Sequence, residues 1–361
     1  MANTEISRVG GARLSSIEAL RLLCMLLVLN LHSFWGYDHG TGFWQAIDFL
    51  RESASICAVD CFVLISGYFG IKWKFKSLFN LIFQILFYSI GIYIIVVALG
   101  LIDWNTKDFL ERFECLFAAS KSWGFAVSYL LLYFLAPALN ALADKLDNRE
   151  LLVSIIILFI AINFICLPDI VFTYALVYLI GRFLRKTNIA ESKIPAVGGY
   201  FIITLIIFII VYFGFFGFLG IKDANTLNSL PIGLFAYAYS APLVILQAVM
   251  LFICFAKMNF CSKIINWCAS SCFAIFLIHM HPTIKEMGYY AFTRSLYELP
   301  VYKHILILTV LIIIVFCGSI LIDKIRILFS DIIYFLIKKM IGLFPIRWHN
   351  ALCGFTKGVI S

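Results

Sequence analysis

Apolar runs of about twenty residues follow one another along almost the entire chain, and that pattern restricts the fold more than any single motif. A run of this length spans the hydrocarbon core of a bilayer as a helix. In lipid every backbone N–H and C=O must be satisfied within the segment, so repeated runs imply a bundle of helices. The composition agrees, with 63% hydrophobic and only 13% charged residues, 36 of them Phe in a chain of 361. A soluble domain carries about twice that charge fraction. No polar stretch is long enough to form a separate soluble domain.

Ten spans are predicted, at approximately 16–36, 48–70, 78–102, 123–142, 151–167, 170–186, 198–219, 232–256, 264–282 and 302–323. The fifth and sixth are short and join at Pro168-Asp169, which also suits a re-entrant or tilted pair. The fold class is therefore all-α, a single transmembrane domain over residues 1–361. Placing the N-terminus in the cytoplasm puts 20 of the 28 Lys and Arg on inner segments, so both termini are expected inside. Residues 324–361 alternate apolar and basic patches and read as a cytoplasmic amphipathic tail lying on an anionic leaflet. No cleaved leader is expected, because the first run holds Glu18, Arg21 and His32 and no small-residue cleavage site follows it.

The net charge of +8 is dispersed between apolar runs, which membrane topology explains better than nucleic acid. The 11 Cys fall mostly within apolar runs, with no CxxC, and read as small core residues. His279 and His281 form an HxH, but no carboxylate ladder or third His accompanies it, so no metal is expected.

Arg21 and His32 share the first run. Eleven residues at about 100° each bring them to one helix face, about 16 Å apart along the axis, and Glu18 joins that face. Ionisable groups at membrane depth are costly and usually line a cavity. The competing reading is an Arg snorkelling to one interface and a His near the other. Asp60, in the next antiparallel span, is expected at a depth similar to His32, where a carboxylate would orient an imidazole base. Alternatively, Asp60 only ties neighbouring helices together. Lys72, Lys74 and Lys76 sit at an inner helix end and suit phosphates, although topology alone also demands basic residues there. Ser66-Gly67 reads as a close helix contact in preference to a gap that lets a ligand chain pass. His279 is either a second polar group of the cavity or an interfacial helix cap.

Four segments in order resemble the membrane-bound acyltransferase 3 family, whose members O-acylate cell-surface glycans. Ser16-Ile17-Glu18-Ala19-Leu20-Arg21, ten residues and His32 resemble its first-helix signature. Val59-Asp60-Cys61-Phe62-Val63-Leu64-Ile65-Ser66-Gly67-Tyr68-Phe69 resembles its second-helix stretch. Trp123, Tyr129, Pro137 and Asn140 match a later helix, and Phe276-Leu277-Ile278-His279 matches a segment near the end, with Phe in place of the usual Tyr. Lys74-Phe75-Lys76 stands where the family often carries Arg-x-Arg.

The resemblance implies an acyl-CoA donor, acetyl-CoA first, and a glycan hydroxyl as acceptor. It implies His32, Arg21 and Asp60 as catalytic, with Lys74, Lys76 and Arg21 on the donor phosphates. Glu18, Trp123, Tyr129 and His279 would support them. It further implies residence in the bacterial cytoplasmic (inner) membrane, contact with membrane lipid and cooperation with other polysaccharide-biosynthesis proteins. Two other classes use similar groups: a transporter or flippase for lipid-linked glycans or acyl groups, and a structural subunit whose polar residues lock helix packing.

Overall fold

The computed structural model describes residues 8–9, 12–35, 43–114, 123–165, 170–218 and 237–343. Apart from a two-rung antiparallel pairing of Arg8–Val9 with Ala12–Arg13, the regular structure is helical. Helix α1 is Ser15–Trp35, α2 Phe43–Ser55, α3 Ala58–Phe69, α4 Phe75–Ala98 and α5 Thr106–Glu114. Then come α6 Gly124–Lys145, α7 Asn148–Phe164, α8 Ile170–Lys186 and α9 Ala196–Phe208, which continues in wide π turns over Ile209–Phe218. The last part is α10 Pro242–Ala256, α11 Lys263–Ala269, α12 Cys272–His279, α13 Ala291–Ser295 and α14 Val301–Leu343.

Helices lie in all ten predicted segments, but length and apolarity separate them. Among the described residues five are long and apolar enough to cross a membrane: Ser15–Phe34, Phe75–Ala98, Gly124–Lys145, Ala196–Gly214 and Val301–Ile337. A sixth candidate is the pair Lys263–His279 and Ile284–Glu298, bent by 96°. The predicted span 48–70 is two helices, α2 and α3, interrupted at Ile56-Cys57. The joint at Pro168-Asp169 and the tail beyond Leu343 lie outside the described residues. Up to Leu343 the helix runs on from the last predicted span without a break at Asp323. The 37 residues Val301–Ile337 reach about 55 Å, well beyond the roughly 30 Å of a hydrocarbon core.

Helix α1 is the hub, touching α2, α3, α10, α11 and α12. This explains why its residues are buried while α7, α9 and α14 expose apolar faces such as Ile156-Ile157, Phe201-Ile202 and Ile313-Ile314. Such outward apolar surface suits lipid as solvent. The tightest crossing is α3 on α8, where two glycines face opposing backbone. A Cβ at Gly67 would stand 2.1 Å from the Tyr178 carbonyl oxygen, and one at Gly181 would stand 2.5 Å from that of Leu64. Gly67 is thus a packing contact, whereas Ser66 beside it lines a cavity. At the start of α7, Asp147 accepts from the N–H groups of Arg149 (2.7 Å) and Glu150 (2.8 Å), and Glu150 accepts from the Asp147 N–H (2.9 Å). This capping box stops α6 from running straight into α7.

Candidate active site

Along one face of α1 stand Glu18, Arg21, Met25, Val28 and His32. Arg21 Nη1 donates to Glu18 Oε1 at 3.0 Å, and both residues are buried. Its other terminal nitrogen, Nη2, is buried with no hydrogen-bond partner among the described residues. Snorkelling into water does not describe this arginine, because it is buried and lines a cavity together with Met25, Phe62, Ser66, Phe125 and Tyr129. A second cavity is lined by His32, Val28, Val59, Tyr174, Tyr239 and Phe276 among others. Met25, Phe62 and Phe125 belong to both walls. The two cavities therefore lie end to end along α1, with Arg21 at one end and His32 at the other. A ring of three apolar side chains stands between them.

His32 is held by His279. Its Nδ1 lies 2.8 Å from His279 Nε2, and His279 Nδ1 lies 2.6 Å from the Ile275 carbonyl oxygen one turn back on α12. A carbonyl only accepts, so His279 Nδ1 carries its proton. With both rings neutral, His279 Nε2 is then the acceptor and His32 Nδ1 the donor. The lone pair of His32 consequently sits on Nε2. This chain assigns the tautomers from hydrogen bonding.

The predicted pairing of His32 with Asp60 is absent. Asp60 is fully buried, and neither of its carboxylate oxygens has a hydrogen-bond partner among the described residues. Similar depth was a poor guide because rotation about the helix axis decides contact. Val59, Phe62 and Ser66 of α3 face the cavities, and Asp60 sits about 100° round from Val59. Asp60 instead acts electrostatically on the hydroxyls of Tyr174 and Tyr239, behind the His32 cavity wall.

The remaining predicted residues divide in two. Tyr129 lines the Arg21 cavity, and its hydroxyl lies 3.0 Å from Ser66 Oγ. Trp123 is buried and donates from Nε1 to the Met280 carbonyl at 2.9 Å, clamping the chain just after His279. Lys74 and Lys76 line neither cavity. The Lys74 backbone N–H and C=O both meet the Tyr133 hydroxyl, at 3.1 and 3.2 Å, one helical turn beyond Tyr129. Lys76 is exposed and paired with Asp331 at 3.3 Å. His281 points away from His279, its Nε2 lying 3.2 Å from the Ser89 carbonyl oxygen.

Sequence reasoning did not find Phe125, the aromatic hub at the waist. Its ring meets Phe62, Tyr129, Tyr174, Phe273 and Phe276 at 5.2–6.4 Å. Nor did it find Arg51, which reaches across from α2. Arg51 donates through Nε to Asn30 Oδ1 (3.0 Å) and also bonds Ser33 and Asp48, bracketing His32. Its position inside an apolar segment was the available signal.

A family model described as an acyltransferase domain, acyltransferase 3, matches residues 14–324. Neither a curated protein nor a solved structure matches the chain. The matched span holds every residue of the Arg21-to-His32 passage and covers most of the sequence. On that evidence the chain belongs to the acyltransferase 3 family and is a membrane acyltransferase.

Proposed function

We propose that the protein moves an acyl group, acetyl first among candidates, from cytoplasmic acyl-CoA to a hydroxyl of a cell-surface polysaccharide or lipid-linked glycan. In this reading ten helices cross the bacterial cytoplasmic membrane with both termini inside. Arg21 then lies nearer the cytoplasm and His32 nearer the outer surface. The observation that carries the reading is the pair of adjoining cavities, one lined by Arg21 and the other by His32, that share Met25, Phe62 and Phe125. A pantetheine arm is long and thin and suits such a passage. Arg21 has an unmatched buried donor for an anionic group, and Lys74 and Lys76, which line neither cavity, would hold the wider nucleotide end outside.

In the transfer step the acceptor oxygen attacks the thioester carbonyl carbon. Its proton passes to His32 Nε2, the C–S bond breaks, and the proton then goes to the departing sulfur. The products are an ester and CoA thiol. The same lone pair would serve if His32 carried the acyl group transiently. His279 is a positioning residue, fixing the tautomer and orientation of His32.

The test is ester-linked acyl content of the host's surface glycans by mass spectrometry. It compares a deletion strain, a wild-type complement and a His32→Ala complement at matched membrane abundance. Acyl groups should vanish on deletion and return only with wild type. Full restoration by His32→Ala would refute the role of His32, and an unchanged pattern throughout would favour a transporter.

A further inference from the structure

The two cavities differ in chemistry. The Arg21 cavity begins at a buried guanidinium, whereas the lining of the His32 cavity contains no Lys, Arg, Asp or Glu among the described residues. Around His32 the wall includes Val28, Val59, Phe62, Ile170, Phe276 and Met280, with Tyr174 and Tyr239 adding hydroxyls. An acetyl group, about twice the bulk of a water molecule, needs roughly 60 Å³. The cavity is larger than that, with about 150 Å³ open to water-sized contents. We infer that the His32 cavity is an acyl subsite for an uncharged aliphatic acyl group, with room for chains longer than acetyl, and that it rejects acyl groups ending in a carboxylate. The inference rests on the acyl-CoA reading above.

Two physical arguments support it. Each methylene placed against these apolar walls leaves water and gains affinity. A terminal carboxylate would give up hydration with no counter-charge among the described wall residues, which is costly. The nearby cations Lys285 and Arg51 line no part of this wall and are already paired, with Glu286 at 2.8 Å and Asp48 at 2.7 Å. Asp60, next to Val59 on α3, is a carboxyl and adds no attraction for a second one. Val28 and Val59 stand on opposite helices, α1 and α3, and set the reach of the chain.

The test measures equilibrium binding to the full chain in lipid nanodiscs. The probes are CoA and its non-transferable thioethers S-ethyl-, S-butyl-, S-hexyl- and S-(3-carboxypropyl)-CoA. Affinity should rise about fourfold per methylene from S-ethyl to S-butyl. The carboxylated probe should bind at least about tenfold more weakly than S-butyl-CoA. Val28→Phe, or Val59→Phe if the first variant does not fold, should abolish the preference for S-butyl over S-ethyl. A flat series, or a carboxylated probe equal to S-butyl-CoA, overturns the inference while leaving the donor reading intact. Failure of every CoA species to bind overturns both. The wild-type ligand series decides the matter without any variant.

Discussion

His32 Nδ1 and His279 Nε2 lie 2.8 Å apart, joining the first helix to the segment 247 residues later. The Ile275 carbonyl at the far side of His279 orders the proton positions through both rings. The pair therefore does for His32 what the sequence had assigned to Asp60, and it does so with a neutral partner.

His32→Ala should abolish transfer while the protein still folds, since loss of a general base typically costs 10²–10⁴-fold. His279→Ala should lower kcat by about tenfold to a hundredfold, the usual worth of an orienting hydrogen bond to a group that becomes charged. His279→Gln keeps an acceptor near the Nε2 position and should recover part of the loss. Equal activity of the Ala and Gln variants would contradict the positioning role.

Arg21→Ala should raise the apparent donor KM more than the double change Lys74→Ala with Lys76→Ala. Arg21 lines the passage and has a terminal nitrogen without a partner, whereas Lys76 is held by Asp331 at the surface. Steady-state kinetics in reconstituted vesicles, varying acyl-CoA, separates KM from kcat. A larger KM effect from the lysine pair would place the donor's strongest contact outside the bundle.

Asp60→Asn should leave the pH dependence of transfer unchanged, because no hydrogen bond joins Asp60 to His32. Removing a buried carboxyl without partners should hold or raise thermal stability. A shifted pH–rate profile in this variant would restore Asp60 to the chemistry.

Gly67→Ala should destabilise the bundle by about 1–3 kcal/mol, the typical cost of overpacking. The new methyl would meet backbone at 2.1 Å, so α3 and α8 must separate rather than rotate a side chain. The measurement is the melting temperature of the detergent-solubilised protein. A wild-type melting temperature would mean that the crossing is looser than described.

At the α4–α14 contact, buried Asp323 accepts from Tyr88 (2.8 Å) and from Arg326 Nε (2.8 Å) and Nη2 (3.1 Å). Asp323→Ala should cost about 3–5 kcal/mol by stranding the buried Arg326. The double change Asp323→Leu with Arg326→Met should cost much less. Comparable melting temperatures for the single and double variants would show the ion pair to be solvated.

Hydropathy and spacing by themselves determined that this chain is a helical membrane protein, because only an internally hydrogen-bonded helix tolerates runs such as Ile17 to Trp35 in lipid. Helical periodicity likewise placed Glu18, Arg21 and His32 on one face, since that relation is local and set by 3.6 residues per turn. The family motifs were legible for the same reason, each lying within one or two turns. The sequence did not determine which side chains meet across helices. Depth can be estimated from composition, but the rotation of α3 that turns Val59 and Phe62 inward and Asp60 away follows from its glycine-mediated packing on α8. The break at Ile56-Cys57, the closeness of His32 to His279 and the Phe125 waist depend equally on packing between segments distant in sequence. Only the tertiary structure decided these, because hydrophobicity drives burial without specifying a partner.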